Sequence, residues 1–342
     1  MLKKSGVLGW LIAFLLAIAI VLGIRQFVAE PFYIPSPSME QTLFEGDYIL
    51  VNKISCGSRF PITPLSVPMV DKKWYADLIQ LSGFRVFGEP EIKRNDVIVF
   101  NYPMEDEYPI DHRTKFVKRC IGLPGDQIKI KNGKVIINDS VSENIEELQK
   151  SYLIEFKRKY TDNELKKILG IENIQSLSYK KEMYLITLNE TELQRIKKQN
   201  EIKSIKIFDD KERIWDETIF PSNELYRWNS SNLGPLYVPK KNAIIELTKQ
   251  TLPFYKRLIT VYEKNKLELI NDDFFINGEK TINYKVKMNY YFVTGDNRDN
   301  SLDSRYWGFL PENHLIGKAN AVLFSIDKKN SSIRWNRMFK NL

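Results

Sequence analysis

The chain opens on an unbroken apolar run. Residues 7–24, VLGWLIAFLLAIAIVLGI, hold eighteen positions without a charge, close to the shortest stretch that crosses roughly 30 Å of hydrocarbon as a helix. Phe27 and Val28 lengthen it by a turn if Arg25 lays its stem along the apolar surface and lifts its head into water. Beyond it the pattern takes the period of strands. DYILVNK at 47–53 and DVIVF at 96–100 are β-branched and aromatic runs, with Gly46 just ahead of the first. TKFVKRC at 114–120 alternates, which sets Phe116, Lys118 and Cys120 on one face and Val117 and Arg119 on the other. LPGD at 123–126 is a turn. IKIKNGKVII at 128–137 carries a hairpin signal with Asn132-Gly133 at its tip, and FFINGEKTI carries a second at Asn277-Gly278.

Between these β-rich flanks, residues 141–225 shift to Lys, Glu, Asn and Ile at helical spacing. Thr161-Asp-Asn-Glu164 and Asn189-Glu-Thr-Glu192 read as capping boxes that open amphipathic helices. The expected organisation is therefore an N-terminal tail (1–6), an anchor (7–28), a β domain in two parts (29–140 and 271–326) around an inserted α+β lobe (141–270), and a C-terminal segment (327–342). The last contains SIRWNRMFKNL, a mixture of basic and large apolar residues suited to a bilayer interface.

A length of 342 residues accommodates two globular units or one with an insertion. Lys and Arg number 51 against 43 Asp and Glu, a net charge of +8 that favours an anionic partner. With an apolar run at the front, that partner is membrane lipid and no nucleic acid is expected. The run exceeds the roughly 7–15 apolar residues of a cleaved secretory signal, and the FVAE that follows is a poor small-x-small cleavage site. Lys3 and Lys4 before the span, against Arg25 after it, put the N-terminus in the cytoplasm and everything after residue 28 outside. Cys56 and Cys120 make neither a disulfide framework nor a tetrahedral zinc set, and whether they pair is left open.

Histidine is the usual base of a serine hydrolase, yet only His112 and His314 exist and neither sits in a triad motif. Lysine is the documented substitute. Ser178-x-x-Lys181 and Ser325-x-x-Lys328 fit one Ser/Lys pattern, but no Lys-Thr-Gly element accompanies them. The segment EPFYIPSPSMEQTLFEGD at 30–47 reads from composition alone as a stiff linker with turn-forming serines.

Taken with three further segments, that stretch resembles signal peptidase I. IPSPSMEQTL places Ser38 on the family's nucleophile, and KRCIGLPGD at 118–126 places Lys118 on its general base. GDNRDNSLDSRYWGF at 295–309 matches a third box almost letter for letter. RNDVIVF at 94–100 resembles a fourth, with Asn95 where glycine is usual. These boxes and the anchor cover residues 7–140 and 270–325. Gln41, where many members have proline, and Pro37 between the serines depart from the pattern without removing a reactive group.

The resemblance implies a mainly β catalytic domain of antiparallel sheets with an inserted α+β lobe, preceded by one transmembrane helix. It also implies a membrane-anchored serine endopeptidase that removes signal peptides from exported preproteins. No metal and no cofactor are implied. The enzyme would be single-pass in the inner (cytoplasmic) membrane, with its catalytic domain on the outer face. The Ser38 N–H and the Ser36 hydroxyl would form the oxyanion hole, Ser301 would hydrogen-bond the lysine amine, and Asp303 and Arg305 would form a supporting ion pair. Phe32, Ile34, Met39, Leu43, Phe116 and Val117 would line small apolar pockets that select alanine-like residues before the cut. A lysine with its ordinary pKa near 10.4 is a poor base at neutral pH, so burial must lower it by about 2–3 units. Phe116 and Cys120, on the same strand face as Lys118, are suitable apolar neighbours. The rival reading is a silent, membrane-tethered scaffold on the same fold; the presence together of Ser38, Lys118, Ser301 and Asp303 favours the enzyme.

Overall fold

A computed structural model describes residues 4–40, 42–64, 79–81, 83–86, 88–141, 149–170, 176–180, 182–208, 215–327 and 330–342. Gln41, Lys181 and Lys328 therefore lie outside the described residues. The chain divides into two compact units, one of Met1–Pro35, Glu45–Val117 and Glu312–Leu342, the other of Ser36–Phe44 and Lys118–Pro311.

The first unit begins with the helix Lys4–Phe27, whose 24 residues at 1.5 Å each span about 36 Å. Its stretch Leu8–Phe27 is long and apolar enough to cross a membrane and is not covered by the rest of the protein. The helix ends against a charge cluster. Arg25 donates to the Glu30 carboxylate at 2.7 Å, Lys53 reaches the same carboxylate at 2.9 Å, and Lys53 Nζ also caps the Arg25 carbonyl at 2.7 Å. Burial pushes the Glu30 carboxyl up, but Lys115, Lys53 and Arg25 more than reverse this and hold it below the usual range. Four antiparallel strands follow in the order Ala29–Tyr33, Asp47–Asn52, Leu315–Asp327, Val97–Asn101. The run VIVF lies in a strand buried on both faces, which is why its sequence is continuously apolar and does not alternate. Gly46, at φ 95°, admits no side chain: a Cβ there would stand 2.0 Å from the Ile326 carbonyl oxygen. The C-terminal segment is fastened by Arg337, whose guanidinium meets the buried Asp47 carboxylate at 2.6 and 3.1 Å. It leaves Trp335 and Phe339 exposed.

In the second unit, strand Tyr290–Thr294 pairs antiparallel with Lys115–Gly122, Thr294 opposite Arg119 and Val293 opposite Cys120, and the register shifts before Phe292 meets Gly122. A second sheet runs Leu233–Tyr237, Gln127–Lys131, Lys134–Ile137, Ser140–Val141. Its hairpin turns at Asn132 and Gly133, both at positive φ, as a type I′ turn requires. Asn277 and Gly278 repeat this between Asp273–Ile276 and Glu279–Lys280. Ile128, Ile130, Leu236, Ile259, Tyr290 and Phe292 belong to one core.

A separate small core, including Ile154, Phe156, Leu165, Ile186 and Ile196, holds a four-stranded sheet and two helices together. The strands run in the order Ile202–Ile207, Lys150–Phe156, Met183–Leu188, Ser176–Lys180. Both expected capping boxes form, Thr161 with Glu164 at the helix Asp162–Leu169 and Asn189 with Glu192 at Glu190–Ile196. The protein is thus mainly antiparallel β, with this α+β element and one N-terminal apolar helix.

Candidate active site

Ser38 sits in the middle of a single 3-10 turn, Pro37–Met39. Pro37 occupies its first position, where a fixed φ near −65° suits the turn and no N–H is needed. That explains how the sequence tolerates its departure there. Lys118, in the strand Lys115–Gly122, reaches across 80 positions of sequence to place Nζ 2.6 Å from Ser38 Oγ. The lysine is 4 % exposed. Burial pushes its amine down to about 8 from an ordinary 10.5, Asp303 and Asp296 pull it partly back, and Arg305 opposes them. A buried lysine whose amine is lowered this far, in contact with a hydroxyl, has the geometry of a base beside its nucleophile. Ser36 Oγ lies 3.5 Å from Ser38 Oγ, at the outer limit of a hydrogen bond, and is exposed.

Asp303 and Arg305 are both buried and paired. Arg305 Nε and Nη2 donate to the two carboxylate oxygens at 2.9 Å each, and the Gly295 N–H donates to one of them at 3.0 Å. Burial raises the Asp303 carboxyl, but the Arg305 charge, its hydrogen bonds and that N–H carry it below the ordinary value. Asp303 also caps the short helix Ser304–Trp307 by accepting from the Arg305 N–H. One side chain thus orders both the turn before it and the helix after it.

Ser301 departs from expectation. Its hydroxyl is buried but makes no well-formed hydrogen bond among the described residues, so the expected bond to the Lys118 amine is not made. It lies near enough to Asp303 to help hold that carboxyl down. It also presses on Gly295, where a Cβ would stand 2.2 Å from Ser301 Oγ and 2.4 Å from the Ser38 carbonyl. Glycine is required there by close approach of the Ser38 turn.

The expected pocket residues divide between the two units. Met39 and Leu43 are buried in the unit that holds Ser38. Phe32, Ile34, Phe116 and Val117 belong to the other, where Phe32 and Ile34 are buried and Phe116 stacks on Tyr102 at 4.5 Å. His112 and His314 also belong to that unit: His112 bonds Thr63 at 2.7 Å and His314 lies between Asn313 and Arg113. Cys56 and Cys120 are buried and not joined in a disulfide, and burial pushes the Cys56 thiol up to about 12. Among the described residues no group of three His, Cys, Asp or Glu side chains is set to hold a metal ion.

Three partners escape the sequence reading. Arg119 donates to both oxygens of Asp296 at 2.7 and 2.6 Å and to Thr42 Oγ1 at 2.9 Å. Thr42 in turn donates to Asp296 at 2.6 Å. Neighbouring residues of one strand therefore grip one loop twice, Lys118 at Ser38 and Arg119 at Thr42. All three stand inside or beside the motif segments; no spacing rule says which carboxylate meets which cation.

Comparison with known proteins bears on the identity of this arrangement. The family model described as signal peptidase, peptidase S26, matches residues 7–223 and 237–324, so the likeness runs on through much of the middle lobe and beyond the four boxes. The signal peptidase I of Buchnera aphidicola subsp. Schizaphis graminum is 31% identical over 91% of this chain and 72% of its own length. That of Pseudomonas fluorescens is 28% identical over 90% and 68%, and that of Helicobacter pylori strain J99 is 27% identical over 95% and 89%. A crystal structure of a signal peptidase I from Enterococcus faecalis aligns over 67% of this chain and 96% of its own at 17% identity and a TM-score of 0.25, too loose a superposition to carry weight. The family match over most of the chain and a relative at this identity make the conclusion plain: the chain belongs to the signal peptidase family, peptidase S26, and is a serine endopeptidase.

Proposed function

We propose that the protein is a membrane-anchored signal peptidase that cuts signal peptides from exported preproteins with Ser38 as nucleophile and Lys118 as general base. The observation that carries this reading is the 2.6 Å contact between Ser38 Oγ and a buried amine lowered to about 8. With Lys118 neutral, the Ser38 hydroxyl donates to Nζ. Oγ attacks the scissile carbonyl while its proton passes to Lys118, and the carbonyl electrons move onto oxygen. Collapse of that oxyanion expels the amine of the mature protein, which takes the proton back from Lys118. Water then attacks the acyl-enzyme with Lys118 as base again, and the freed signal peptide leaves as a carboxylic acid. The Ser38 N–H and Ser36 hydroxyl are the proposed oxyanion donors. Asp303 and Arg305 hold the Gly295 backbone against the nucleophile turn.

Met39 and Leu43, in the unit that holds Ser38, are proposed to contact small side chains before the cut, with the substrate lying extended against strand edges. The anchor reading is supported by the uncovered apolar helix Leu8–Phe27 and by the basic cluster at its end. Purified protein incubated with a preprotein should release a mature chain with one new N-terminus after a small residue. Ser38→Ala should abolish that product with the fold and membrane insertion intact. Normal turnover by the variant would remove the assignment.

A further inference from the structure

Asn297 has no part in the reaction as described, yet it holds the nucleophile turn from both ends. It is fully buried. Its main-chain N–H donates to the Ser38 carbonyl at 3.2 Å, and its side-chain Nδ2 donates to the Pro37 carbonyl at 3.3 Å. The Pro37 carbonyl also accepts the Glu40 N–H at 2.9 Å. These two carbonyls belong to the peptide units on either side of the Ser38 Cα.

The consequence follows from peptide geometry. The unit that joins Pro37 to Ser38 is planar, and in a trans peptide its C=O and N–H point in opposite directions. A donor fastened to the Pro37 oxygen therefore sets the heading of the Ser38 N–H, the group proposed to receive the oxyanion. Donation to the carbonyl also polarises the unit and strengthens that N–H as a donor.

Two further observations support a role beyond packing. Asn297 Oδ1 is buried with no hydrogen-bond partner among the described residues, and such a group costs stability. What the residue contributes is thus its donor, at the expense of an orphaned acceptor. From the other side the small lobe braces it. The Gln149 N–H donates to the Asp296 carbonyl at 2.9 Å, the Arg298 N–H donates to the Gln149 carbonyl at 3.3 Å, and Asp299 accepts the Ser151 N–H at 2.6 Å. Gln149 and Asn297 form a parallel bridge, so Asn297 is held from the side of the lobe as well as by the Ser38 turn.

We propose that Asn297 is a positioning residue that aims the Ser38 N–H at the developing oxyanion, with the start of the lobe as its backing. The proposal rests on the reading of Ser38 given above, and Ser38→Ala, run in parallel, tests that reading separately.

The experiment uses the full chain and the variants Asn297→Ala, which removes the donor, and Asn297→Ser, which keeps a shorter one. Cleavage kinetics on a preprotein are measured against pH, together with inhibition by a peptidyl aldehyde with alanine next to the carbonyl. Ser38 Oγ adds to the aldehyde carbon and its proton passes to Lys118, which leaves an oxyanion where the substrate would. In Asn297→Ala, kcat should fall by about 10- to 100-fold, a fraction of what loss of a whole oxyanion donor costs. KM should stay within about twofold, aldehyde affinity should fall in step with kcat, and the acidic limb of kcat/KM should not move. Asn297→Ser should recover part of the loss. Wild-type kcat in Asn297→Ala would overturn the proposal, as would a fall in kcat with aldehyde affinity intact. A displaced acidic limb would place the effect on Lys118 and overturn it too. If Asn297→Ala does not fold, Asn297→Ser decides: kcat lost without any loss of aldehyde affinity would count against it.

Discussion

Lys118 is held in surroundings that disfavour its charged form, and this has a cost with a definite sign. Its folded pKa of about 8 lies below the ordinary 10.5, so between those values the unfolded chain binds more protons and stability rises with pH. At pH 7 the group is charged in both states and the full cost is present, about 3 kcal/mol for a shift of this size. Lys118→Met should therefore abolish cleavage while its thermal midpoint at pH 7 equals or exceeds that of the parent protein. A midpoint several degrees lower would mean that the amine stabilises the fold. The segments that bring Ser38 to Lys118 and hold the Asp303–Arg305 pair were legible because each is a contiguous string of letters. The triangle of Thr42, Arg119 and Asp296 was not, since its members stand 177 and 254 positions apart and only the folded backbone brings them together. The segment that carries Ser301 was legible but the contacts of its hydroxyl were not, because the direction of a hydroxyl depends on a turn that sequence does not specify.

Elements whose signals are local read well. The Asn-Gly tips became hairpin turns because both residues accept positive φ, and the two capping boxes formed because the reciprocal bonds span only three positions. The middle region was harder. The region was expected to be α+β, but its spacing located only the helices; among the described residues the structure shows four strands there, with alternating burial in Met183–Leu188. Those strands are short, and their pairing, Ile202–Ile207 beside Lys150–Phe156, joins segments that no local rule connects. Thr161→Ala removes one capping hydroxyl from the helix Asp162–Leu169 and should destabilise the lobe by about 1 kcal/mol. Preprotein cleavage at a temperature well below unfolding should be unchanged within about twofold. A large loss of activity there would mean that the capped helix itself contributes to the site.

At the scale of the molecule, the division into two units cuts across the order of the chain. The segment Ser36–Phe44 follows closely on the apolar helix, yet it is grouped with Lys118–Pro311 and not with the residues that flank it. Sequence proximity suggests the opposite; the hydrogen bonds of Ser38, Pro37 and Thr42 to residues 118, 119, 296 and 297 account for the grouping. The helix Lys4–Phe27 was legible at once, since the run inside it, residues 7–24, is uncharged and continuously apolar. Protease added to intact spheroplasts should digest the region after residue 28 while the N-terminal tail stays protected. Complete protection of that region would mean the opposite orientation.

The Ser38/Lys118 mechanism is most directly tested by the pH dependence of kcat/KM. Lys118 must lose its proton before attack, so the acidic limb should fall with an apparent pKa of about 8. Lys118→Arg keeps the charge but cannot deprotonate in this range, and it should be inactive. The double variant His112→Gln with His314→Gln should cleave with the limb unmoved. A dead histidine double variant beside an active Lys118→Arg would contradict the mechanism.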